Sequence, residues 1–417
     1  MSEGTPPRRD GFIAARKTEL AQAIIADCRQ EDAAHMGDVL KLLSALLHYE
    51  AHAELEALKA LYDPLDPDAP ASRRDVSLAA FEAFETELLS ALQRANFVEI
   101  DPDTVQTREA TKLITGLSIK PSNAGIRRVR FFARGERQEQ IELKSWLRRR
   151  HVDVQVMSDV VVLVGFKAED EAASGADRRA LSRMRRGVRE GAALVKHFRS
   201  VAAAELVTLH PGAKPSMRPR DQAMLAAPAL VAGTPVLLNL WPALTVIFAV
   251  LAAYFGAQGV IEENELKRAL AAMSGLIAVG AFVMRQRLKY EAQTLRYQKQ
   301  LADTVYFRNL ANNAGVLDLL VGAGEEQDAK EALLAYALLR RAEAPLASAD
   351  IDTMAETFLR ERFGLDIDFE IGDALAKLER LGLVASDNDR YSAIAPSEAL
   401  AKLDAAWDNL FKFSTAT

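Results

Sequence analysis

The sequence predicts a multi-domain membrane protein that is mainly α-helical, with a small α+β domain, a two-helix transmembrane hairpin and a C-terminal winged-helix-like domain. Forty consecutive residues between Asp221 and Glu262 carry no charged side chain, and a second uncharged stretch runs from Ala269 to Met284. A hydrocarbon core of about 30 Å needs roughly 20 helical residues, which the first stretch supplies easily. The two stretches together predict the hairpin.

The predicted spans cover about residues 235–256 and 268–285. Trp241 and Tyr254 lie near the ends of the first span, where aromatic rings favour the membrane interface. The second span is rich in small residues, and Gly275 and Gly280 are predicted to let it pack closely against another helix. Because its uncharged part reaches only about 24 Å, a re-entrant or interfacial helix is the alternative interpretation.

The charges around the two spans predict their orientation. Basic residues lie on the outer side of each span, and the turn between the spans is acidic at 262–265. Both long arms of the chain, with both termini, are therefore expected on the cytoplasmic side. The basic residues expected at the membrane interface are Arg218, Arg220, Arg285 and Arg287. The start of the chain lacks the apolar segment of a signal peptide, and the single cysteine, Cys28, agrees with a reducing compartment.

Five segments follow from these patterns. Residues 1–116 have the apolar spacing of helices, interrupted by a proline-rich break at 62–70. Residues 117–221 form the α+β domain, with strands predicted at 127–134, 159–167 and 192–198. The hairpin occupies 222–285, a polar helix leaves the membrane over 286–322, and the last domain covers 323–417.

The C-terminal segment has the order of elements of a winged helix. Helices are predicted at 325–341, 348–363 and 368–381, followed by a β-hairpin over 382–394 with a polar turn at 386–389. From residue 325 onward there are 10 basic and 19 acidic residues, a net charge of −9. A DNA-binding module needs a basic surface to contact phosphates. The acidic balance argues against nucleic acid and favours a protein partner.

The segment before the hairpin is basic. Residues 121–220 contain 21 Lys and Arg against 11 Asp and Glu, a net charge of +10. Anionic lipid headgroups are the partner that this charge favours, with RNA or a solvated surface without a partner as the alternatives.

No pattern in the chain predicts catalysis, a cofactor or a metal. His48 and His52 have a spacing of four residues that can hold a metal on one helical face, but the glutamate of a zinc-protease motif is absent, and exposed polar positions are the simpler interpretation. The glycine pairs at 187–191 and 322–324 lack the residues of a phosphate loop. The predicted spans contain no charge between their end residues, so transport would require an oligomer.

The segment Val305–Leu320, which leads into Glu325–Tyr336, resembles the domain-of-unknown-function membrane family that includes mitochondrial transmembrane protein 143 and its cyanobacterial and plant relatives. Residues 63–68, 165–167 and 196–206 are similar to other segments of that family. The resemblance implies two membrane helices between soluble arms and carries no established activity. The residues of this chain that match its most specific part are Asn312, Gly315, Glu326, Lys330, Glu331 and Tyr336. An Arg- and Ala-rich chain without a transit peptide indicates a bacterial member in the inner membrane.

The function predicted from these observations is a non-enzymatic, self-associating membrane scaffold or adaptor with cytoplasmic arms. It would form homo-oligomers through the hairpin and the helix that follows it. An oligomeric pore or transport component is one alternative, and a membrane-tethered winged-helix regulator that binds DNA is another.

Overall fold

The computed structural model describes residues 11–70, 77–100, 118–145, 148–168, 170–171, 174–184, 190–216, 244–245, 248, 251–252, 254–256 and 263–410. Its N-terminal part is helical, as the apolar spacing predicts. Helix α1 covers Lys17–Asp27, α2 covers Ala33–Tyr62 and α3 covers Leu78–Arg94. The proline-rich break after α2 begins with a 3-10 turn, Asp63–Leu65. Helix α3 begins where the Ser77 hydroxyl accepts a hydrogen bond from the backbone N–H of Ala80, which satisfies one of the free donors of its first turn.

The middle of the chain is built mainly from strands. They are β1 (Val98–Ile100), β2 (Ser118–Lys120), β3 (Ile126–Ser145), β4 (Arg148–Phe166), β5 (Ala193–Ala202) and β6 (Lys214–Ser216), with helix α4 (Gly175–Met184) between β4 and β5. The three predicted strands lie within or overlap β3, β4 and β5. Val160, Val161 and Val162 are at most 1% exposed, which explains why the β-branched run of β4 forms a central strand.

Helix α5 covers Glu263–Arg308, and the short strand β7, Asn309–Asn312, follows it directly. Strands β1, β3, β4, β5 and β7 form one five-stranded antiparallel sheet in the order β1-β3-β4-β5-β7. Strands β2 and β6 form a separate antiparallel pair. The polar helix predicted over 286–322 is continuous with the second predicted span, but it ends at Arg308, where β7 begins, and not at residue 322.

The predicted membrane hairpin is wrong for the part of the chain that the structure describes: no helix there is long and apolar enough to cross a membrane. The second predicted span, 268–285, lies within α5, where its sixteen uncharged residues are fewer than the roughly 20 that a bilayer requires. Lys267 precedes this stretch, and Arg285 and Arg287 follow it in the same helix. Most of the first predicted span, about 235–256, lies outside the described residues.

The predictions that depended on the hairpin are corrected with it. In the described residues, the fold class is a five-stranded antiparallel sheet with helices and not the predicted transmembrane hairpin. The integral membrane scaffold, the pore and the membrane-tethered regulator lose the spanning helices on which they rested, because none of the described helices meets the length and apolarity of a span. The predicted multi-pass inner-membrane location is corrected for the same reason, since the described residues contain no helix that could span a membrane.

The C-terminal elements follow the predicted order. Helix α6 covers Ala314–Arg341, β8 Leu346–Ala347, α7 Ser348–Phe363, α8 Ile371–Arg380, β9 Val384–Asp387, β10 Arg390–Ala393 and α9 Pro396–Asn409. Helix α7 ends at Gly364, whose φ of 67° is the left-handed conformation that glycine adopts without strain. Asn388 and Asp389 form the turn of the β9–β10 hairpin with positive φ, as a two-residue hairpin requires. Strands β8, β10 and β9 form a three-stranded sheet in that order.

Helix α6 contributes to both apolar cores. Its first turns, including Val316 and Leu320, pack with α3 and with one face of the large sheet. Its later turns, including Leu333 and Tyr336, pack with α1, the first half of α2 and the C-terminal helices. The N-terminal helices and the C-terminal elements therefore share one core.

The described residues belong to two compact units. The first comprises residues 1–107, 123–206 and 308–417 and contains both larger sheets, helices α1–α4 and α6–α9 and both apolar cores. The second comprises residues 108–122 and 207–307 and contains the β2–β6 pair and α5 up to Phe307.

Candidate functional site

An acidic cleft of about 710 Å³ opens in the first unit. Its walls are the end of α3, strands β1 and β3, the middle of α6, and the loop that leads into α8, with Gly11 at one edge. A volume of this size is typical of ligand sites. Six carboxylates line it: Glu99, Asp328, Glu331, Asp368, Glu370 and Asp373.

A sharp turn after α3 shapes one side of the cleft. Asn96 has a φ of 58°, and the backbone N–H of Phe97 returns to the carbonyl of Leu92 at 2.9 Å. The turn directs the chain into β1 and places the Asn96 amide beside the cleft. This amide donates to the carbonyl of Gly11 at 2.8 Å and to Oε1 of Glu331 at 3.4 Å. Gly11 has little room for a side chain, because a Cβ there would lie 3.3 Å from the Asp368 carbonyl oxygen.

Glu331 is the most buried carboxylate of the cleft. It is 4% exposed and lies on α6 among apolar neighbours. Burial raises the pKa of Glu331 to about 8, and the negative charge of Asp328 contributes in the same direction. Its long hydrogen bond from Asn96 offsets this only in part. Glu331 therefore binds a proton at neutral pH unless a positive charge enters the cleft.

Lys377 is the cation next to the base of the cleft. Its ammonium lies 2.7 Å from Asp328 and also contacts Asp373, one turn earlier on α8. Burial alone would lower the pKa of Lys377, but the two carboxylates raise it above 10.5. Burial raises the pKa of Asp328, and the charge of Lys377 offsets this only in part. The contact with Lys377 therefore does not fully compensate the burial of the Asp328 carboxylate.

The two arginines that line the cleft, Arg94 and Arg130, already form ion pairs. Arg130 donates from Nε and Nη2 to both oxygens of Glu99, at 2.7 and 2.6 Å, and from Nη1 to Glu85 at 3.2 Å. Arg94 pairs with Glu54. Within the described part of the chain, no ion pair reaches three of the cleft carboxylates: Glu331, Asp368 and Glu370.

This arrangement can bind a positive charge. Asp328, Glu331 and Asp373 each place one oxygen within 4.8 Å of the others, and they are the one metal-capable group of His, Cys, Asp or Glu in the described residues. Carboxylate oxygens suit hard divalent ions, ammonium groups and guanidinium groups alike. Because the Lys377 ammonium already contacts two of the three, the geometry fits a nitrogen cation better than a metal ion.

None of the described residues that were predicted to act at the membrane lines the cleft. Arg218, Arg220 and Trp241 lie outside the described residues. Tyr254 is exposed beside Phe255, and Arg285 and Arg287 are exposed on α5. Gly275 lies on the same helix, and a Cβ at Gly280 would meet no atom within 4 Å. Their proposed roles stay predictions.

The residues of the family resemblance lie in β7 and α6, and one of them reaches the cleft. Asn312 pairs with Lys196 of β5, and Gly315 lies in the first turn of α6. Glu326 and Lys330 form an ion pair at 2.9 Å, and the Lys330 ammonium also donates to the carbonyl of Ile13 at 3.0 Å. Tyr336 is buried and donates to the carbonyl of Ile394 at 3.1 Å. Only Glu331 belongs to the cleft.

The histidine pair of α2 lies apart from the cleft. His48 and His52 are both exposed, and His48 Nδ1 lies 2.7 Å from Glu325. No metal-capable group of the described residues includes either histidine.

Sequence reasoning missed the cleft because its carboxylates come from three separated segments, at 99, 328–331 and 368–373. One signal was present: Lys330 and Glu331 directly precede the apolar run 332–339 of α6 and lie between Ala329 and Ala332, both of which are fully buried. A charged residue on a buried helical face needs a specific partner or a site.

A family model described as "Protein of unknown function (DUF3754)" matches residues 158–315. This domain of unknown function extends from β4 through β5 and α5 to the first turn of α6. Two segments of the family resemblance, 165–167 and 196–206, lie within it, whereas all six cleft carboxylates lie outside it. No solved structure matches the chain.

Proposed function

We propose that the acidic cleft binds a basic segment of a partner protein, and that the chain acts as a binding module. The observation that carries this proposal is the uncompensated charge at the rim of a ligand-sized opening, where Asp368 and Glu370 have no basic partner among the described residues. The buried Glu331 below them can add a further negative charge once a cation enters the cleft. Asp368, Glu370 and Asp373 are exposed at the rim, and Glu331 lies at the base. A peptide with several basic side chains can contact the carboxylates at the rim and at the base, whereas a single small cation cannot reach both.

The edge of the large sheet favours an extended partner. Strand β1 is an edge strand of the five-stranded sheet, and its residues Val98 and Glu99 line the cleft. Val98 is 42% exposed. An edge strand offers backbone donors and acceptors to an added strand, whose alternate side chains then point the same way. Basic residues at every second position of the partner would therefore face the carboxylates.

Fluorescence anisotropy with a labelled eight-residue peptide of alternating lysine and threonine tests the proposal. Saturable binding to the full chain is expected at about 50 mM salt, and weaker binding at higher salt, because exposed charges are screened. A peptide of alternating glutamate and threonine is the charge control. A lysine–proline peptide removes backbone donors, so its weaker binding would support pairing with β1.

The substitution pair Asp368→Asn and Glu370→Gln is expected to weaken binding about three- to ten-fold, since each exposed carboxylate contributes up to roughly 1 kcal/mol. The matched control is Asp404→Asn with Glu343→Gln, which removes the same two charges from exposed positions outside the cleft. Equal weakening by both pairs would mean that net charge, not the cleft, attracts the peptide. No binding of the lysine–threonine peptide at low salt would refute the proposal.

A second copy of the chain also stays a proposed partner, through α5. Leu270, Ile277 and Met284 are exposed at seven-residue intervals, the spacing of one stripe of a coiled coil. Light scattering during size-exclusion chromatography tests this. A monomer at all concentrations would refute it, and Ile277→Glu is expected to dissociate an oligomer.

The finer resemblance, to the family that includes mitochondrial transmembrane protein 143, also stays a hypothesis. It is supported by the segment 305–336, of which 305–315 lies within the matched domain.

A further inference from the structure

We propose that α5 pairs with α5 of a second copy in antiparallel orientation, with a two-fold axis at residue 275. This inference rests on the second-copy pairing proposed above and specifies its orientation and register. The surface that pairs is one exposed face of α5, the α5 stripe, which consists of Glu263, Leu270, Met273, Ile277, Gly280, Met284 and Arg287.

The centre of the α5 stripe is apolar and open to solvent in the single chain. Its four large side chains are about half exposed or more: Leu270 by 56%, Met273 by 49%, Ile277 by 67% and Met284 by 55%. The space beside Gly280 is also open, because a Cβ there would meet no atom within 4 Å. Proteins rarely leave a contiguous apolar face of this kind uncovered. The alternating steps of three and four residues from Leu270 to Met284 are the heptad spacing that a second helix covers.

Charges at the two ends of the α5 stripe favour the antiparallel orientation. Glu263 begins the stripe and Arg287 ends it, and no charged residue lies within 269–284. In a parallel pair in register each residue meets its own copy, so Glu263 faces Glu263 at one end and Arg287 faces Arg287 at the other. An antiparallel pair instead places Glu263 opposite Arg287 at both ends. Like charges in contact disfavour the parallel arrangement, and opposite charges stabilise the antiparallel one.

Both end residues are available for this contact. The side chains of Glu263 and Arg287 are 82% and 74% exposed. Each forms an ion pair within its own helix, Glu263 with Lys267 at 2.7 Å and Arg287 with Glu291 at 3.0 Å. Exposed pairs of this kind contribute little and rearrange easily. The carboxylate and the guanidinium can therefore each take a partner from the second copy.

The apolar layers require the same register as the charges. A two-fold axis at residue 275 places Leu270 opposite Gly280 of the second copy, and Met273 opposite Ile277. The open space beside Gly280 is then filled by a leucine at both of its occurrences. In a parallel pair Gly280 would face Gly280 and leave a void, which destabilises a packed interface. The same axis places Glu263 opposite Arg287, so one register satisfies the charged and the apolar layers together.

Cysteine cross-linking of the full chain tests the orientation. Leu270→Cys and Gly280→Cys are made separately in a Cys28→Ser background, which removes the single native cysteine. The two chains carry tags of different size, are mixed, and are treated with a short thiol cross-linker. We expect the mixed pair, Leu270→Cys with Gly280→Cys, to cross-link at least ten-fold more than either variant with itself. A parallel pair in register gives the reverse, because each cysteine then meets its own copy.

Charge reversal tests the end layers by an independent measurement. Glu263→Arg is expected to weaken the dimer about ten-fold at about 50 mM salt, because it places two arginines together at each end of the antiparallel pair. The double variant Glu263→Arg with Arg287→Glu should return to within about three-fold of the wild type. Lys289→Glu is the control, since it reverses an exposed charge of α5 outside the heptad positions of the stripe. Light scattering measures the dissociation constants, and circular dichroism establishes that each variant is folded.

Two outcomes would overturn the orientation: a dimer in which each cysteine variant cross-links mainly with itself, and a double charge variant no tighter than Glu263→Arg alone. Both leave the pairing through a second copy intact. A wild-type chain that stays monomeric at all concentrations refutes that pairing and this inference together. Binding of the lysine–threonine peptide is decided by its own titration and does not depend on either result.

Discussion

Replacing Glu331 with glutamine should make the stability of the protein less dependent on pH. The substitution Glu331→Gln keeps the shape of the side chain and an oxygen that can accept from Asn96, but it removes the carboxylate that ionises. In the native protein the Glu331 carboxylate is 4% exposed and its one hydrogen bond in the described structure, from Asn96, is long, at 3.4 Å. Its negative charge is therefore poorly solvated in the folded state.

The sign of the effect follows from the raised pKa. Burial, assisted by the charge of Asp328, raises the pKa of Glu331 from 4.5 to about 8 in the folded state. Below pH 4.5 both states carry the proton, and Glu331 adds no pH dependence. Between these two values the folded state retains a proton that the unfolded state has released, so the free energy of unfolding falls as the pH rises. The slope is up to about 1.4 kcal/mol per pH unit, and the full window corresponds to at most about 5 kcal/mol.

Urea denaturation at about pH 5, 6, 7 and 8 measures this dependence. The free energy of unfolding of Glu331→Gln, relative to the wild type, should rise by a few kcal/mol from pH 5 to pH 8. Asp404→Asn, which removes an exposed carboxylate, controls for the loss of one charge. A difference between Glu331→Gln and the wild type that stays constant over this range would refute the reasoning.

Two further predictions concern packing and the N-terminal segment. Gly165→Ala should destabilise the protein by about 1–3 kcal/mol in thermal unfolding, because the added Cβ would lie 2.6 Å from the buried ring of Phe81. A variant as stable as the wild type would contradict this contact. Gln327→Leu should cost about 1–3 kcal/mol and expose the N-terminal segment to limited proteolysis, because the Gln327 amide holds the backbone of Ile13 through bonds of 3.0 and 3.3 Å. The exposed Gln138→Leu is its control, and equal protease sensitivity of the two variants would count against this role.

The C-terminal elements could be predicted from the sequence because local signals set their ends. Gly364 ends α7, and the polar turn at Asn388 and Asp389 supports positive φ, so the predicted positions of α7 and of the hairpin agree with the structure to within a residue or two. The β-branched run of β4 also sufficed to predict a central strand. Two strands of the large sheet, β1 and β7, were missed, because they are three and four residues long and depend on pairing with distant partners.

The membrane prediction was wrong because it used the absence of charge as its main criterion. In the described part of the chain, the second stretch belongs to a helix of 46 residues that carries charges before and after its apolar part. The periodicity of a short apolar run does not distinguish a span from one portion of a longer helix.

The cleft could not be predicted because no local pattern contains it. Asp328 and Glu331 lie on α6, Asp373 lies on α8, and Glu99 lies on β1, so only the tertiary fold brings them together. Burial of Glu331 likewise depends on the turn at Asn96, more than two hundred residues earlier. The only signal in the sequence was a charged pair, Lys330 and Glu331, at the start of the apolar run of α6, which identifies a residue of interest but not its partners.

The central position of α6 has a consequence for the order in which the protein is made. Ile13 and Gln327 are 314 residues apart in the chain but directly hydrogen-bonded, and the core around α1 and α2 is completed by residues up to Leu403. At a synthesis rate of about 5–20 residues per second, roughly 15–60 s pass between the synthesis of α1 and that of α6. The apolar faces of α1 and α2 remain without their packing partner for this time. During that interval these nascent helices are natural clients for chaperones that bind emerging chains, and a slowed ribosome would lengthen their exposure.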